Sequence, residues 1–342
     1  MKQTTLCYLE HGDSYLMLHR VKKQNDANEG KWIGVGGHME EGETPEACIR
    51  REILEETGLV PRSLRFRGVV FFLSDRWEDE MMYLYTGEAE SREVRECDEG
   101  ELRWVKRREI FRLCLWEGDR IFLNYLLEDE PFFCLELHYD SSDELVSSRL
   151  RTPVILASGS PRRLELLRQI GIRPVVEPSE VDEMCDEKKP DKLVESLALM
   201  KARAVAARFS GNELIIGADT VVVSDGRILG KPASHEEAAE MIRSLQGHPH
   251  SVYTGVAVIR ARDGAKRCFA EKTEVFVAPM NEEEILLYAG SEEPMDKAGG
   301  YGIQGSFAAF IEGIRGDYFN VMGLPLRKVY LALCELSDRE AL

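Results

Sequence analysis

The feature that most constrains this chain is a run between Gly37 and Leu59. Gly37-His-Met-Glu-Glu-Gly-Glu43 is followed by Arg51-Glu52-Ile53-Leu54-Glu55-Glu56-Thr57-Gly58-Leu59. The spacing predicts a helix opening at Pro45, because Thr44 is a natural N-cap and proline fits the first helical position. Gly58 stands where a left-handed residue would end it. Glu52, Glu55 and Glu56 then share one helix face, where like charges repel by about 0.2–0.5 kcal/mol per pair. A hard divalent cation, which takes oxygen ligands and partners phosphates, reverses that sign. Ile49 and Ile53, four apart, are left to face a core. Gly34, Gly36, Gly37 and Gly42 let the preceding backbone bend tightly and approach a ligand. A solvated acidic helix would account for the glutamates, but not for the glycines at both ends or for Arg51 among them.

The segment resembles the Nudix box, G-x5-E-x7-R-E-U-x-E-E-x-G-U with U aliphatic. Gly37, Glu43, Arg51, Glu52, Ile53, Glu55, Glu56, Gly58 and Leu59 fill every defined position. The resemblance implies an N-terminal α/β/α sandwich that hydrolyses a nucleoside diphosphate linked to another group, with Mg2+ or Mn2+ as cofactor. It implies metal ligation by Gly37, Glu52, Glu55 and Glu56, with Glu55 or a metal-bound water as the base. The metal would orient the phosphates, offset their charge and activate water. Glu99 is a further candidate ligand, although it sits in an acidic stretch that could equally be surface.

The stretch Met17 to Trp32 and the segment Leu115-Trp116-Glu117-Gly118-Asp119 resemble Nudix enzymes acting on oxidised purine nucleotides such as 8-oxo-dGTP. In that subgroup an aromatic stacks on the base and an acid reads its edge; Trp116 and Asp119 occupy the matching positions. A Trp beside an acid suits a purine, one giving a stacking face and the other accepting ring N–H donors. The animal enzymes carry Asn where this chain has Ile33. Another nucleoside diphosphate derivative, such as a dinucleoside polyphosphate or nucleotide sugar, remains open as the substrate.

At 342 residues the chain is long enough for two domains. Residues 1–140 form the expected first domain, 141–152 a polar linker or boundary helix, and 153–342 the second domain. A net charge of −17 argues against binding a nucleic acid polymer through its phosphates. Eight cysteines without a C-x-x-C pair suggest reduced thiols in a cytoplasmic protein. No apolar run approaches the roughly 18 residues of a membrane span.

The second half carries a different phosphate signal. Val154-Ile155-Leu156-Ala157 reads as a buried strand, followed by Ser158-Gly159-Ser160 and a helix from Pro161. Ser160 is the expected cap. Arg162 and Arg163 lie in the first turn, the wrong end for cations unless an anion binds there. Arginine suits a bidentate grip on phosphate. Farther on, Asp219-Thr220 interrupts the apolar strand 214–223, and a carboxylate amid aliphatics is costly unless paired or employed. Lys231 is a candidate phosphate contact, and Asp296-Lys297 opens a glycine-rich loop reaching Gln304 and Gly305. Lys201 and Arg203, on a helix over 191–208, could reach this site, although solvated surface is the commoner reading.

Together these pieces resemble the Maf-type nucleotide pyrophosphatases over residues 153–336. The matching runs are Leu156–Arg163, Gly217–Thr220, Gly230–Pro232, Asp296–Ala298, Tyr301–Gly305 and Val321–Pro325. The resemblance implies a two-lobed mixed α/β (ITPase-like) unit with a cleft, so the whole chain is expected to be α/β (α+β). It implies cleavage of a nucleoside triphosphate between its α and β phosphates, with substrate contacts from Ser158, Ser160, Arg162, Arg163, Thr220, Lys231, Lys297 and Gln304. The residue matching Asp219 is the family's proposed proton acceptor; those matching Arg162, Thr220 and Gln304 influence substrate choice. Members acting on dTTP and UTP carry Ser-Pro-Arg-Arg and Tyr-Gly-Ile-Gln-Gly, as here. An amide both donates and accepts, as the O4/N3–H edge of uracil or thymine requires.

The sequence thus reads as a fused pyrophosphohydrolase with two metal-dependent sites, acting on nucleoside triphosphates without membrane or polymer partners. A homodimer is compatible with it. The rival is a nucleotide-sensing regulator, since Maf proteins are named for an effect on septum formation.

Overall fold

The computed structural model describes residues 1–22, 27–130 and 132–337. Lys23, Gln24, Asn25 and Asp26, within the Met17–Trp32 stretch, lie outside the described residues, as do positions 338–342 of the second expected domain. The chain divides into two compact units, Met1–Arg151 and Thr152–Leu342.

The first unit contains β1 (Lys2–His11), β2 (Ser14–His19), β3 (Trp32–Ile33), α1 (Pro45–Thr57), β4 (Pro61–Ser74), β5 (Glu80–Ala89), β6 (Glu101–Lys106), α2 (Glu117–Leu127), β7 (Phe133–Tyr139) and β8 (Leu145–Arg151). One mixed sheet runs β3-β2-β1-β5-β4-β7-β8, with β6 beside β2. Strand side chains alternate between faces. Leu6 and Tyr8 of β1 join the cluster built with Phe122, Leu123 and Leu126 of α2. Thr5, on the opposite face, meets Cys48 of α1 at 3.3 Å. The sheet therefore lies between the two helices. α1 is framed as its sequence requires. Thr44 accepts from the Ala47 N–H, Pro45 opens the helix, and Gly58 ends it at φ 76°.

The expected linker is not one. Residues 145–151 form β8, an antiparallel edge strand on β7. Its side chains are nearly all exposed, so no apolar alternation marks it in the sequence.

The second unit contains β9 (Val154–Leu156), α3 (Pro161–Gln169), β10 (Val175–Val176), α4 (Pro190–Ala206), β11 (Leu214–Ser224), β12 (Arg227–Leu229), α5 (His235–Leu245), β13 (Pro249–Arg260), β14 (Lys266–Val277), α6 (Glu282–Ala289), β15 (Ile311–Arg315), α7 (Tyr318–Val321) and α8 (Leu326–Leu336). The sheet order is β10-β9-β11-β13-β14-β15, with β12 beside β11. β11 and β13 are long enough to serve two cores. Leu214, Ile216, Ala218, Val256 and Val258 pack with α3 and α8. Val222 and Val252, farther along the same strands, pack with α5 and α6. Asp219, Thr220 and Thr254 fall at the junction, where neither core claims them.

α4 covers the other face of these strands at short range. A Cβ on Gly217 would overlap the Ala198 carbonyl, and one on Gly255 would overlap Val194. These two glycines let the helix settle onto the sheet. Gly217→Val is therefore expected to destabilise the unit by at least about 1–3 kcal/mol, the usual overpacking cost. Gly313→Ala, where an added Cβ meets nothing within 4 Å, should leave stability unchanged. Urea midpoints of the two variants check this.

Candidate active sites

In the second unit a cleft of about 700 Å³ opens at the junction of the two cores. It is lined by every residue expected there: Ser158, Ser160, Arg162, Arg163, Asp219, Thr220, Lys231, Lys297 and Gln304. Arg163 forms its floor. Its Nε donates to the Gly323 carbonyl at 2.9 Å, Nη1 to Ser158 at 3.0 Å and Nη2 to Thr220 at 3.2 Å. Burial lowers this guanidinium's pKa, partly opposed by nearby Asp219. Arg162 reaches the other way, to Asp296 at 2.8 Å, and Lys297 meets the same carboxylate at 2.6 Å. Asp296 thus gathers two cations that an anionic ligand can take over.

Asp219 projects from the face of β11 that α4 covers. Lys201 of α4 donates to its Oδ1 at 2.7 Å and pairs with Glu183 at 2.9 Å. Lys201 and Asp219 are only 13% and 14% exposed. Thr220, on the opposite face, lies 2.9 Å from Thr254, which in turn donates to the Asn320 carbonyl. Ser160 occupies the cap position of α3, yet its side chain makes no capping bond. The first-turn N–H groups of α3 therefore lack a side-chain acceptor from their own cap, which suits an anion.

In the first unit Arg51 stands among the carboxylates. It grips Glu43 through Nε at 3.0 Å and Nη2 at 2.9 Å, Glu52 at 2.6 Å and Glu55 at 3.2 Å. The guanidinium holds Glu43 down to about 2. Glu56 is buried and accepts the Gly36 N–H at 3.1 Å. A Cβ on Gly37 would overlap the Glu52 carboxylate where it stands. The Gly37 carbonyl already accepts the Thr5 N–H at 2.9 Å. Among the described residues no three acidic, histidine or cysteine side chains converge on one point in ligating geometry. Arg51 draws three of the carboxylates toward itself. Still, Glu43, Glu52 and Glu55 around one guanidinium, with Glu56 on the same helix, are hard oxygen donors in excess of positive charge, which fits a divalent cation. Glu99 is ion-paired to Arg20.

Trp116 and Asp119 open α2. The indole N–H of Trp116 donates to Asn28 at 2.9 Å, and the Lys31 ammonium lies 4.7 Å from the ring centre. Asp119 is 3% exposed. Burial pushes its carboxyl up to about 8, Lys31 pulling the other way. A separate cleft of about 640 Å³, lined by Glu10, Arg62, Arg65, Arg67 and Arg107 among others, is crossed by mutual ion pairs such as Arg107–Glu10 and Arg65–Asp129, both 2.7 Å. None of the expected site residues lines it.

Comparison with known proteins finds one family match in each of the two units. Residues 153–336, more than half of the chain, match the family described as Maf-like protein. The chain belongs to the Maf-like family. Residues 2–126 match the NUDIX domain. Over 186 residues the chain is 52% identical to the dTTP/UTP pyrophosphatase of Symbiobacterium thermophilum, spanning 54% of this chain and 94% of that protein. It is 46% identical over 180 residues to the dTTP/UTP pyrophosphatase of Lachnoclostridium phytofermentans, spanning 52% and 91%. Among solved structures, a mutator MutT protein from Bacillus halodurans is similar at 26% identity and TM-score 0.40, covering 44% of this chain and 97% of its own.

Two residues of the Maf-like cleft were missed or undervalued by sequence reasoning. Glu183 lies in a stretch without helix or strand, where acids are common and no pattern singles it out. Lys201 did carry a signal. It interrupts the buried stripe Val194, Leu197, Ala198, Ala202 and Val205 of α4, where a charge needs a partner. Arg203 is exposed.

The Asp119 shift has a consequence for stability. A carboxyl whose pKa is raised on folding favours the folded state less as pH rises from its unfolded value near 4 to about 8. Asp119→Asn removes that penalty. It is expected to stabilise the NUDIX domain by a few kcal/mol near pH 8 and by little near pH 4, on the order of 1.4 kcal/mol per unit. Urea titrations at the two pH values check the difference.

Proposed function

We propose that the chain is a bifunctional nucleotide pyrophosphohydrolase. The Maf-like site converts dTTP or UTP and water into the monophosphate and pyrophosphate. The NUDIX site hydrolyses an oxidised purine triphosphate such as 8-oxo-dGTP. The observation that carries the first half is the Lys201–Asp219 pair beside a cation-lined cleft. Arg162, Lys231, Lys297 and the N-terminus of α3 bind the triphosphate. Arg163 fixes Ser158 and Thr220 beneath it. Lys201 occupies Asp219 Oδ1, leaving Oδ2 to take a proton from the attacking water as general base. Gln304 pairs its amide with the pyrimidine edge.

In the NUDIX site Glu52, Glu55 and Glu56 would hold Mg2+ or Mn2+. Such an ion, when bound, polarises a phosphoryl oxygen and lowers the pKa of water. Glu43 keeps Arg51 in place beside them, and Glu55, the most exposed of the Arg51-bound carboxylates at 59%, is available as base. Support for a purine comes from Asp119. Protonated up to about pH 8, it can both donate and accept along a base edge next to Trp116.

The test is pyrophosphate release from dTTP, UTP and 8-oxo-dGTP with Mg2+. Asp219→Asn should lower dTTP and UTP turnover by about 10²–10⁴-fold and spare 8-oxo-dGTP. Glu55→Gln should do the reverse, whereas chelation of the metal should abolish both activities. Nucleotide binding without pyrophosphate release by the unaltered chain would replace this reading with a regulator.

A further inference from the structure

Resting on the reading of the Maf-like cleft as a pyrimidine nucleotide site, the loop that presents Gln304 asks what holds it. Residues 301–305 contain neither strand nor helix, and Gln304 is exposed along the cleft. The loop is tied at both ends by side chains from elsewhere. At its start the Tyr301 phenol lies 2.7 Å from His250 Nε2, and the two rings stand nearly perpendicular. At its end Glu293 Oε2 accepts the Ser306 N–H at 2.9 Å and the Ser306 hydroxyl at 2.7 Å. Glu293 Oε1 accepts from the Tyr288 phenol at 3.2 Å. That phenol oxygen accepts the Gly302 N–H at 3.3 Å. One carboxylate is thus bonded to the far end of the turn directly and to the near end through Tyr288. It also packs so closely that a Cβ on Gly305 would overlap it.

We infer that Glu293 is a positioning residue for base selection: by fixing Gly302 and Ser306 it sets where the Gln304 amide stands. Most of the triphosphate grip lies on other elements. Arg162 and Arg163 stand on α3, and Lys231 follows β12. Lys297 is tethered to the Glu293 main-chain carbonyl, which side-chain substitution leaves in place. Loss of the Glu293 carboxylate therefore disturbs base reading while sparing phosphate binding.

The experiment uses the full chain with Glu293→Ala, Glu293→Gln and Tyr288→Phe. Steady-state constants are measured for dTTP, UTP, ATP and GTP, with inorganic triphosphate as a competitive inhibitor that lacks a base. In Glu293→Ala, KM for dTTP and UTP should rise about tenfold or more with kcat within about threefold, and preference over purines should fall. Glu293→Gln, which keeps one acceptor oxygen, should recover part of the loss. Inhibition by inorganic triphosphate should be unchanged. Unaltered KM values, or inhibition weakened as much as KM, would overturn the positioning role. If Glu293→Ala does not fold, the near-isosteric Tyr288→Phe must show the same split on a smaller scale, or the inference fails. No turnover of dTTP or UTP by the unaltered chain would instead overturn the parent reading.

Discussion

Asp219 can lie in an aliphatic strand because a cation meets it there. A buried carboxylate without a partner is costly, and a buried pair is favourable only when its geometry is good. The geometry here comes from what is missing. Gly217 and Gly255 have no side chains, so α4 settles against the sheet and Lys201 arrives 2.7 Å from the carboxylate. The cleft follows from the same strands. β11 and β13 each feed two cores, and the residues between those cores are left to polar work. Arg163, half-buried beside them, spends its donors on Gly323, Ser158 and Thr220 and so ties α3 to β11.

The first unit solves a related problem with the opposite balance. Carboxylates are in excess around one guanidinium, and Arg51 can satisfy only some of them at once. Such a cluster is poised to accept further positive charge. Its carboxylates lie close to the backbone, with Glu52 against Gly37 and Glu56 bonded to the Gly36 N–H. Both units therefore place charged groups where the backbone comes nearest, and glycine marks both places.

Much of this was legible in the sequence because local rules and the tertiary structure agree. The Thr44 cap, Pro45 and Gly58 delimit α1 as the sequence predicts. The candidate residues from Ser158 to Gln304 each stand in a short sequence motif, though only folding puts them along one cleft. What escaped has physical reasons. β8 is an exposed edge strand whose pairing, not its composition, makes it a strand. Glu183 reaches Lys201 from an irregular segment. Lys201 looked like surface because charged residues usually are, although the apolar stripe around it pointed inward. Glu99, an equivocal candidate in the sequence, is engaged with Arg20.

The central claim is that Lys201 and Asp219 act as one unit. A double-mutant cycle on pyrophosphate release from dTTP tests it most directly, with Asp219→Asn, Lys201→Met and both together. Residues that work as a unit are strongly non-additive. The account predicts that each single change removes most of the rate and that the double variant is no slower than the slower single one. Losses that multiply, each change costing the same with or without the other, would contradict it.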